Sequence, residues 1–451
     1  MTGEGIGIRQ EPSTFYRWMV LIFISLAMFG NYYIYDSVSP VFDLLSSQLN
    51  FTDQQLGLFY SVYSIAAIIV LLIGGYIIDK FGTKKSVSLF AVICLVAAVC
   101  TAVSSEFGVM LTGRFILGLG SEPLIVAVTT AIAKWFKGKE LSFAFGINLL
   151  IARLGSVSAD WSTSFARPLY SNWQDPLWLA TAFAGISVAG ALLYWMLEGK
   201  AGKKYNLGEQ EETEKFELKN LYKFSRSYWY VVALCVVFYS TVFPFRAFAI
   251  KYFIEAHGLS RDAGGMLNSM LPLAAGIATP LFGLMVDKIG KRSLFMAVGS
   301  LVLLPLFLVV TYFPPGPDIT LTIPFLGTYT WPLTLIIVML LLGAAFSLIP
   351  AIMWPSVAYI VEQRRLGSGY SLMTLCQQVG MAAIPWLIGF TNDAFSAGPD
   401  NPGGYAPGMW IFTILASLGL LFSFLLWKTE TGSGGHGLET ITTKTGVKEG
   451  K

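Results

Sequence analysis

Between residues 18 and 427 the sequence is a succession of twelve apolar runs, at about 18–44, 56–78, 86–105, 109–133, 141–166, 177–197, 229–253, 265–287, 293–313, 332–360, 368–391 and 409–427. At about 1.5 Å rise per residue, a helix of roughly 20 residues spans the ~30 Å hydrocarbon layer, so each run is long enough to cross a bilayer. Composition agrees: 55% of residues are apolar and 13% are charged, about half the charged share of a soluble domain. The spacing predicts an all-α integral membrane protein. The net charge of +3 gives no electrostatic footprint for nucleic acid.

Other function classes find little to build on. Cys94, Cys100, Cys235 and Cys376 all fall inside apolar runs, where they read as small buried hydrophobes, and the two histidines, His257 and His436, are far apart. No nucleotide-binding glycine loop, metal-ligand cluster or activated nucleophile is evident, so an enzyme is not expected and no cofactor or metal is invoked. The first apolar run continues for a full span without a small-residue cleavage site and reads as a retained helix.

Charge divides and orients the chain. Residues 199–226 are too polar to span and separate six runs from six. The expected organisation is an N-tail at 1–17, a six-helix bundle at 18–198, a linker at 199–226, a second bundle at 227–428 and a disordered tail at 429–451. Of 30 Lys and Arg, all but six lie in the tails and in the loops after runs 2, 4, 6, 8 and 10. Three of the six (Arg167, Lys251, Arg261) lie in or at the edge of the other loops, and three (Arg114, Arg153, Arg246) lie deep within runs. By the positive-inside rule both termini are cytosolic.

The two halves also repeat. Gly75-x-x-x-Asp79-Lys80-x-Gly82 with Lys84 and Lys85 follows run 2, and Gly283-x-x-x-Asp287-Lys288-x-Gly290 with Lys291 and Arg292 follows run 8. A second correspondence, offset by 225 residues, sets Arg153 against Gln378. Two parallel six-helix repeats around a central cavity is a transporter architecture.

Within that frame two charges stand out. Glu122 lies about 12 residues before Lys134, and Arg153 about 13 after Glu140, so the basic turn between them places both near mid-membrane. A charge at a helix centre costs roughly 2.5–3.5 kcal/mol on insertion scales, which directs it to a wet cavity or a partner. A carboxylate accepts from an α-ammonium and an arginine fork binds an α-carboxylate, so the pair suits the two ends of a small zwitterion. An intramembrane salt bridge between runs 4 and 5 uses the same residues and stays open at this point. Tyr33, Tyr35 and Trp354 are candidate aromatic walls and Gln378 a candidate amide contact. Arg246, beside Pro244, is a candidate cavity cation. Arg114 offers either a second anionic contact or a partner for Asp36 or Asp160, and these acids are candidates for proton coupling or for supporting contacts.

The paired G-x-x-x-D-K-x-G loops and the run Gly113-Arg114-x-x-x-Gly118-x-Gly120 resemble signatures of the major facilitator superfamily. The likeness extends over residues 18 to 428 and implies two pseudo-symmetric six-helix bundles working by rocker-switch alternating access. It implies a conformational latch made by Asp79, Lys84, Asp287 and Arg292. Trp135-Phe-Lys-Gly-Lys-Glu140-Leu141, Ala152-Arg153-Leu-Gly155-Ser156 and Val242-Phe-Pro244-Phe245 further resemble lysosomal dipeptide transporters within that superfamily. That resemblance implies Glu122 and Arg153 as holders of the two ends of a dipeptide, and facilitated movement without an essential proton.

The expectation is therefore a transporter of dipeptides or similar amphoteric metabolites. It would sit in the lipid bilayer as a monomer, with an accessory subunit as an open option. Rival readings are an organic-anion carrier using Arg114, Arg153 and Arg246, a proton-coupled carrier of the same fold, and a transporter-like receptor that moves no cargo. Residues 1–17 show no acidic dileucine signal, so a cell membrane is expected in preference to a lysosomal one.

Overall fold

The computed structural model describes residues 12–136, 140–204, 224–324, 327–362 and 365–442, without the side chains of 72–76, 79, 142 and 202–204. Twelve helices among these residues are long and apolar enough to cross a membrane. In the first half they are α1 (Thr14–Asp36), α3 (Asp53–Phe81), α4 (Thr83–Val103), α5 (Phe107–Phe136), α6 (Leu141–Phe165) and α7 (Gln174–Lys204). The second half holds α8 (Arg226–His257), α9 (Arg261–Ile289), α10 (Arg292–Tyr312), α11 (Leu333–Ile360), α12 (Leu366–Ala394) and α13 (Ala406–Glu430). The protein is a multi-pass membrane protein.

Three features depart from expectation. The first apolar run does not stay one helix: α1 stops at Asp36, Pro40 sits in a 3-10 turn, and a short α2 (Phe42–Leu49) follows, closed by Asn50 at φ 58°. The loop at 318–332 forms an antiparallel hairpin, β1 (Asp318–Ile323) against β2 (Gly327–Pro332). Its alternation of Ile319, Leu321 and Ile323 with Thr320 and Thr322 is the period-2 signal of a strand. Finally, the tail expected to be disordered from 429 is folded as far as 442. Glu430 ends α13 and accepts from Ser227 Oγ at 2.5 Å, and Leu438 is fully buried. Glu439 accepts from Ser293 N at 3.0 Å, while its carbonyl takes Lys291 N at 3.0 Å. A buried leucine and satisfied loop amides outweigh the polar composition of this segment.

Within the first half, α1 packs on α6 and α7, α4 on α5 and α7, and α3 on α5; within the second, α8 packs on α12 and α13, α10 on α11 and α13, and α9 on α11. The halves meet through α3 against α12 and α6 against α9. Small residues allow the approach. A Cβ on Gly57 would lie 2.2 Å from the Pro385 carbonyl oxygen, and one on Gly389 2.1 Å from that of Asp53.

We call the side bearing the 80–85 and 288–292 loops the basic face. Between mid-membrane and the other, distal face, hydrogen bonds and ion pairs tie the halves together. Lys251 pairs with Asp53, Arg261 with Asp43, and Arg167 with Asp262. Asp393 accepts from the amides of Asp53 and Gln54 at 2.8 Å each, and Asn392 donates to Asp53 at 2.8 Å. Toward the basic face, Cβ atoms built on Gly146 of α6 and Gly283 of α9 meet nothing within 4 Å. The halves are thus tied together on the distal side.

Candidate functional site

Glu122 and Arg153 lie midway along α5 and α6. They form no ion pair with each other in this structure. Glu122 Oε1 accepts from Tyr63 of α3 at 3.0 Å and from Gln378 of α12 at 3.1 Å. Nothing among the described residues bonds its second oxygen. The Arg153 guanidinium lies over the rings of Tyr32 (5.6 Å) and Phe346 (5.3 Å). No acceptor among the described residues takes its N–H groups, and its Nε is buried without a partner. A charge that keeps its donors unmet beside two aromatic faces is placed to receive an anionic group from outside the protein.

Aromatic residues of the second half extend from this point. Phe346 packs edge-on to Phe243, Phe243 stacks on Tyr239, and Tyr239 accepts from Trp354 Nε1 at 3.0 Å. Trp354 in turn stacks on Tyr370, whose hydroxyl donates to the Trp354 carbonyl at 3.2 Å. On the first-half side, Tyr35 lies edge-on to Tyr60 and Tyr63. The arrangement is a carboxylate and a guanidinium on one side, and rings and an amide on the other.

Several expected site residues are placed elsewhere. Tyr33 is not a cavity wall: it stacks on Phe183 at 3.8 Å inside the first bundle, because its position on α1 faces α7. Arg246 is not a free cavity cation. Its guanidinium is taken by Asp36 and, at 2.8 Å, by Asp160, whose other oxygen accepts from Asn268 at 2.9 Å. Two buried carboxylates need a cation more than the cavity does, so Arg246 ties the halves together. Arg114 meets neither Asp36 nor Asp160. It donates to the carbonyls of Ile34 (3.2 Å), Tyr35 (3.0 Å) and Phe59 (3.4 Å) and lies over Tyr60 at 5.2 Å. The last carbonyls of α1 have no acceptor role within the helix, and a cation there also suits the helix dipole.

At the basic face, Arg292 is buried, pairs with Asp287 at 2.7 Å and lies over Tyr359 at 4.8 Å. Lys84 is half-buried in the first turn of α4, and Asp79 lies outside the described side chains. Sequence reasoning missed the residue at the centre of the corresponding first-half cluster, Glu198. It pairs with Lys134 at 2.9 Å and accepts from Thr83 at 3.1 Å, from Trp135 at 3.4 Å and from Tyr194. Its signal was symmetry: Glu198 and Glu430 each stand near the end of the last helix of a half. Also missed were Tyr63, Tyr239 and Phe346, which look in sequence like any aromatic of an apolar run.

Comparison with known proteins agrees with this architecture. The family model described as Major Facilitator Superfamily matches residues 24–314 and 232–440. The lysosomal dipeptide transporter MFSD1 of Homo sapiens is 29% identical over 442 residues, covering 94% of this chain and 89% of that protein. The MFSD1 of Gallus gallus is 30% identical over 362 residues, covering 77% and 75%. Among solved structures, an inward-facing bacterial homolog of the human lysosomal transporter Spinster superposes with a TM-score of 0.72 at 16% identity, covering 93% of this chain and 98% of that one. With its twelve spans, its two halves and these relatives, the chain belongs to the Major Facilitator Superfamily and is a membrane transporter.

Proposed function

We propose that this transporter moves dipeptides or similar small zwitterions by alternating access, as facilitated diffusion. The observation that carries the reading is that Glu122 and Arg153 stand unpaired with each other at mid-membrane, each with capacity left for a ligand. Glu122 would accept the α-ammonium and Arg153 would hold the carboxylate, while Trp354, Tyr370 and Tyr239 form a wall tolerant of varied side chains. The names of the MFSD1 relatives support a dipeptide cargo. The organic-anion reading loses support because Arg114 and Arg246 are already occupied by carbonyls and carboxylates. Facilitated movement is supported by the same fact seen from the acids: Asp36 and Asp160 are committed to Arg246.

The basic-loop count supports cytosolic termini, and because the ties between the halves lie on the opposite side, we read the cytosolic face as the open one. We place the chain in the cell membrane, acting as a monomer because both ends of the site come from one chain. We read the chain as bundles at 18–198 and 227–428 joined by 199–226, a division that the helix packing within each half supports, although α7 runs on to Lys204 and α8 begins at Arg226. The test is uptake into proteoliposomes of free, N-acetylated and C-amidated dipeptides, with and without a pH gradient. Uptake of the free form alone, unaffected by the gradient, is expected. Equal uptake of the blocked forms would overturn the zwitterion site, uptake driven by the gradient would overturn facilitation, and binding without uptake would indicate a receptor.

A further inference from the structure

Resting on the zwitterion reading, we infer that Gln378 is a stand-in for the cargo's ammonium: its amide occupies Glu122 in the empty carrier and lets that carrier return without a ligand. Among the described residues, the hydrogen bond that crosses between the halves at the candidate site is Gln378 Nε2 to Glu122 Oε1, at 3.1 Å. Gln378 is 4% exposed, and its own Oε1 is buried without a partner. The amide therefore donates to the carboxylate while leaving one of its own groups unmet. Such a contact is favourable but readily displaced.

A carrier that works without a second ion must cross its occluded state twice, once loaded and once empty. Loaded, the charge of Glu122 is met by an ammonium. Empty, closure removes cavity water from a carboxylate otherwise held by Tyr63 alone, and that desolvation opposes the return. Rocking displaces the halves least at mid-membrane, so a donor from α12 keeps its grip through the transit. The repeat sharpens the point, since Gln378 is the position corresponding to Arg153. An arginine there would neutralise Glu122 but form a buried ion pair, and separating one such pair leaves an uncompensated charge. A neutral amide supports the empty transit and still yields to an ammonium.

The test uses full-length protein in proteoliposomes, with the four native cysteines replaced by alanine and a reporter Ser39→Cys. Ser39 is 3% exposed on the closed distal face and donates to the Ala247 carbonyl across the halves, so maleimide reaches it when that face opens. Gln378→Ala should slow ligand-free labelling about tenfold and raise the ratio of dipeptide exchange to net uptake by a similar factor. Gln378→Arg should do the reverse, keeping ligand-free labelling at least as fast as the parent and weakening dipeptide binding a hundredfold or more. Faster labelling in Gln378→Ala would show that the amide merely ties the open state together. A proportional loss of exchange and net uptake, with labelling unchanged, would show an ordinary cargo contact. Either result overturns the inference. Failure of the parent to exchange dipeptides would sink the cargo reading alone, and the ligand-free labelling would still decide the role of Gln378.

Discussion

The distal closure can be weakened at one point without touching the site. Helix α3 is already capped by its own residues: Thr52 Oγ1 accepts from Gln55 N at 3.3 Å, and Gln55 Oε1 accepts from Thr52 N at 3.0 Å. The amides of Asp53 and Gln54 remain, and both are taken at 2.8 Å by the carboxylate of Asp393 on α12. An acid in the last turn of its own helix is poorly placed for that helix's dipole but well placed for the N-terminus of another. An N-cap carboxylate replaced by alanine loses about 0.5–2 kcal/mol. Asp393 is exposed, which puts the loss near the middle of that range, at ~1 kcal/mol. Asp393→Ala should thus favour distal opening by about fivefold, read as faster maleimide labelling of Ser39→Cys, with Asp393→Asn in between. Unchanged labelling in a well-folded variant would refute the view that this contact holds the distal face shut.

Two further outcomes follow from the same interface. Arg246→Met strands Asp36 and Asp160 in a buried site and should lower stability by about 3–5 kcal/mol in thermal or denaturant unfolding. Adding Asp36→Asn and Asp160→Asn should restore much of it, and no rescue would count against the triad as a structural tie. Gly389→Ala places a methyl against the Asp53 carbonyl oxygen, where backbone must move. It should cost about 1–3 kcal/mol and push α3 from α12, again raising Ser39→Cys labelling.

The spans were legible because bilayer thickness imposes a length and a polarity that composition alone reveals. The mid-helix position of Glu122 and Arg153 was legible because a charge at mid-span is rare enough to stand out. Arg114 and Arg246 were equally conspicuous, yet their partners are set by packing: one faces the end of α1, the other two acids of the opposite half. Tyr33 and Tyr35 are two residues apart on α1 and face different neighbours, Phe183 and the Tyr60–Tyr63 pair. Helical phase decides this, and an apolar run hydrophobic on all sides gives no phase. The folded tail was missed for a related reason. Leu438 is one apolar residue in a polar stretch, and its value depends on a pocket that sequence does not display.

The central claim is that Glu122 meets the cargo's ammonium. The most direct test is a four-way comparison by isothermal titration calorimetry, with free and N-acetylated dipeptide titrated into the parent protein and into Glu122→Gln. A charged hydrogen bond is worth about 1.5–3 kcal/mol, so acetylation should weaken binding to the parent by at least roughly tenfold and have little further effect in Glu122→Gln. An equal loss on acetylation in both proteins would contradict the account.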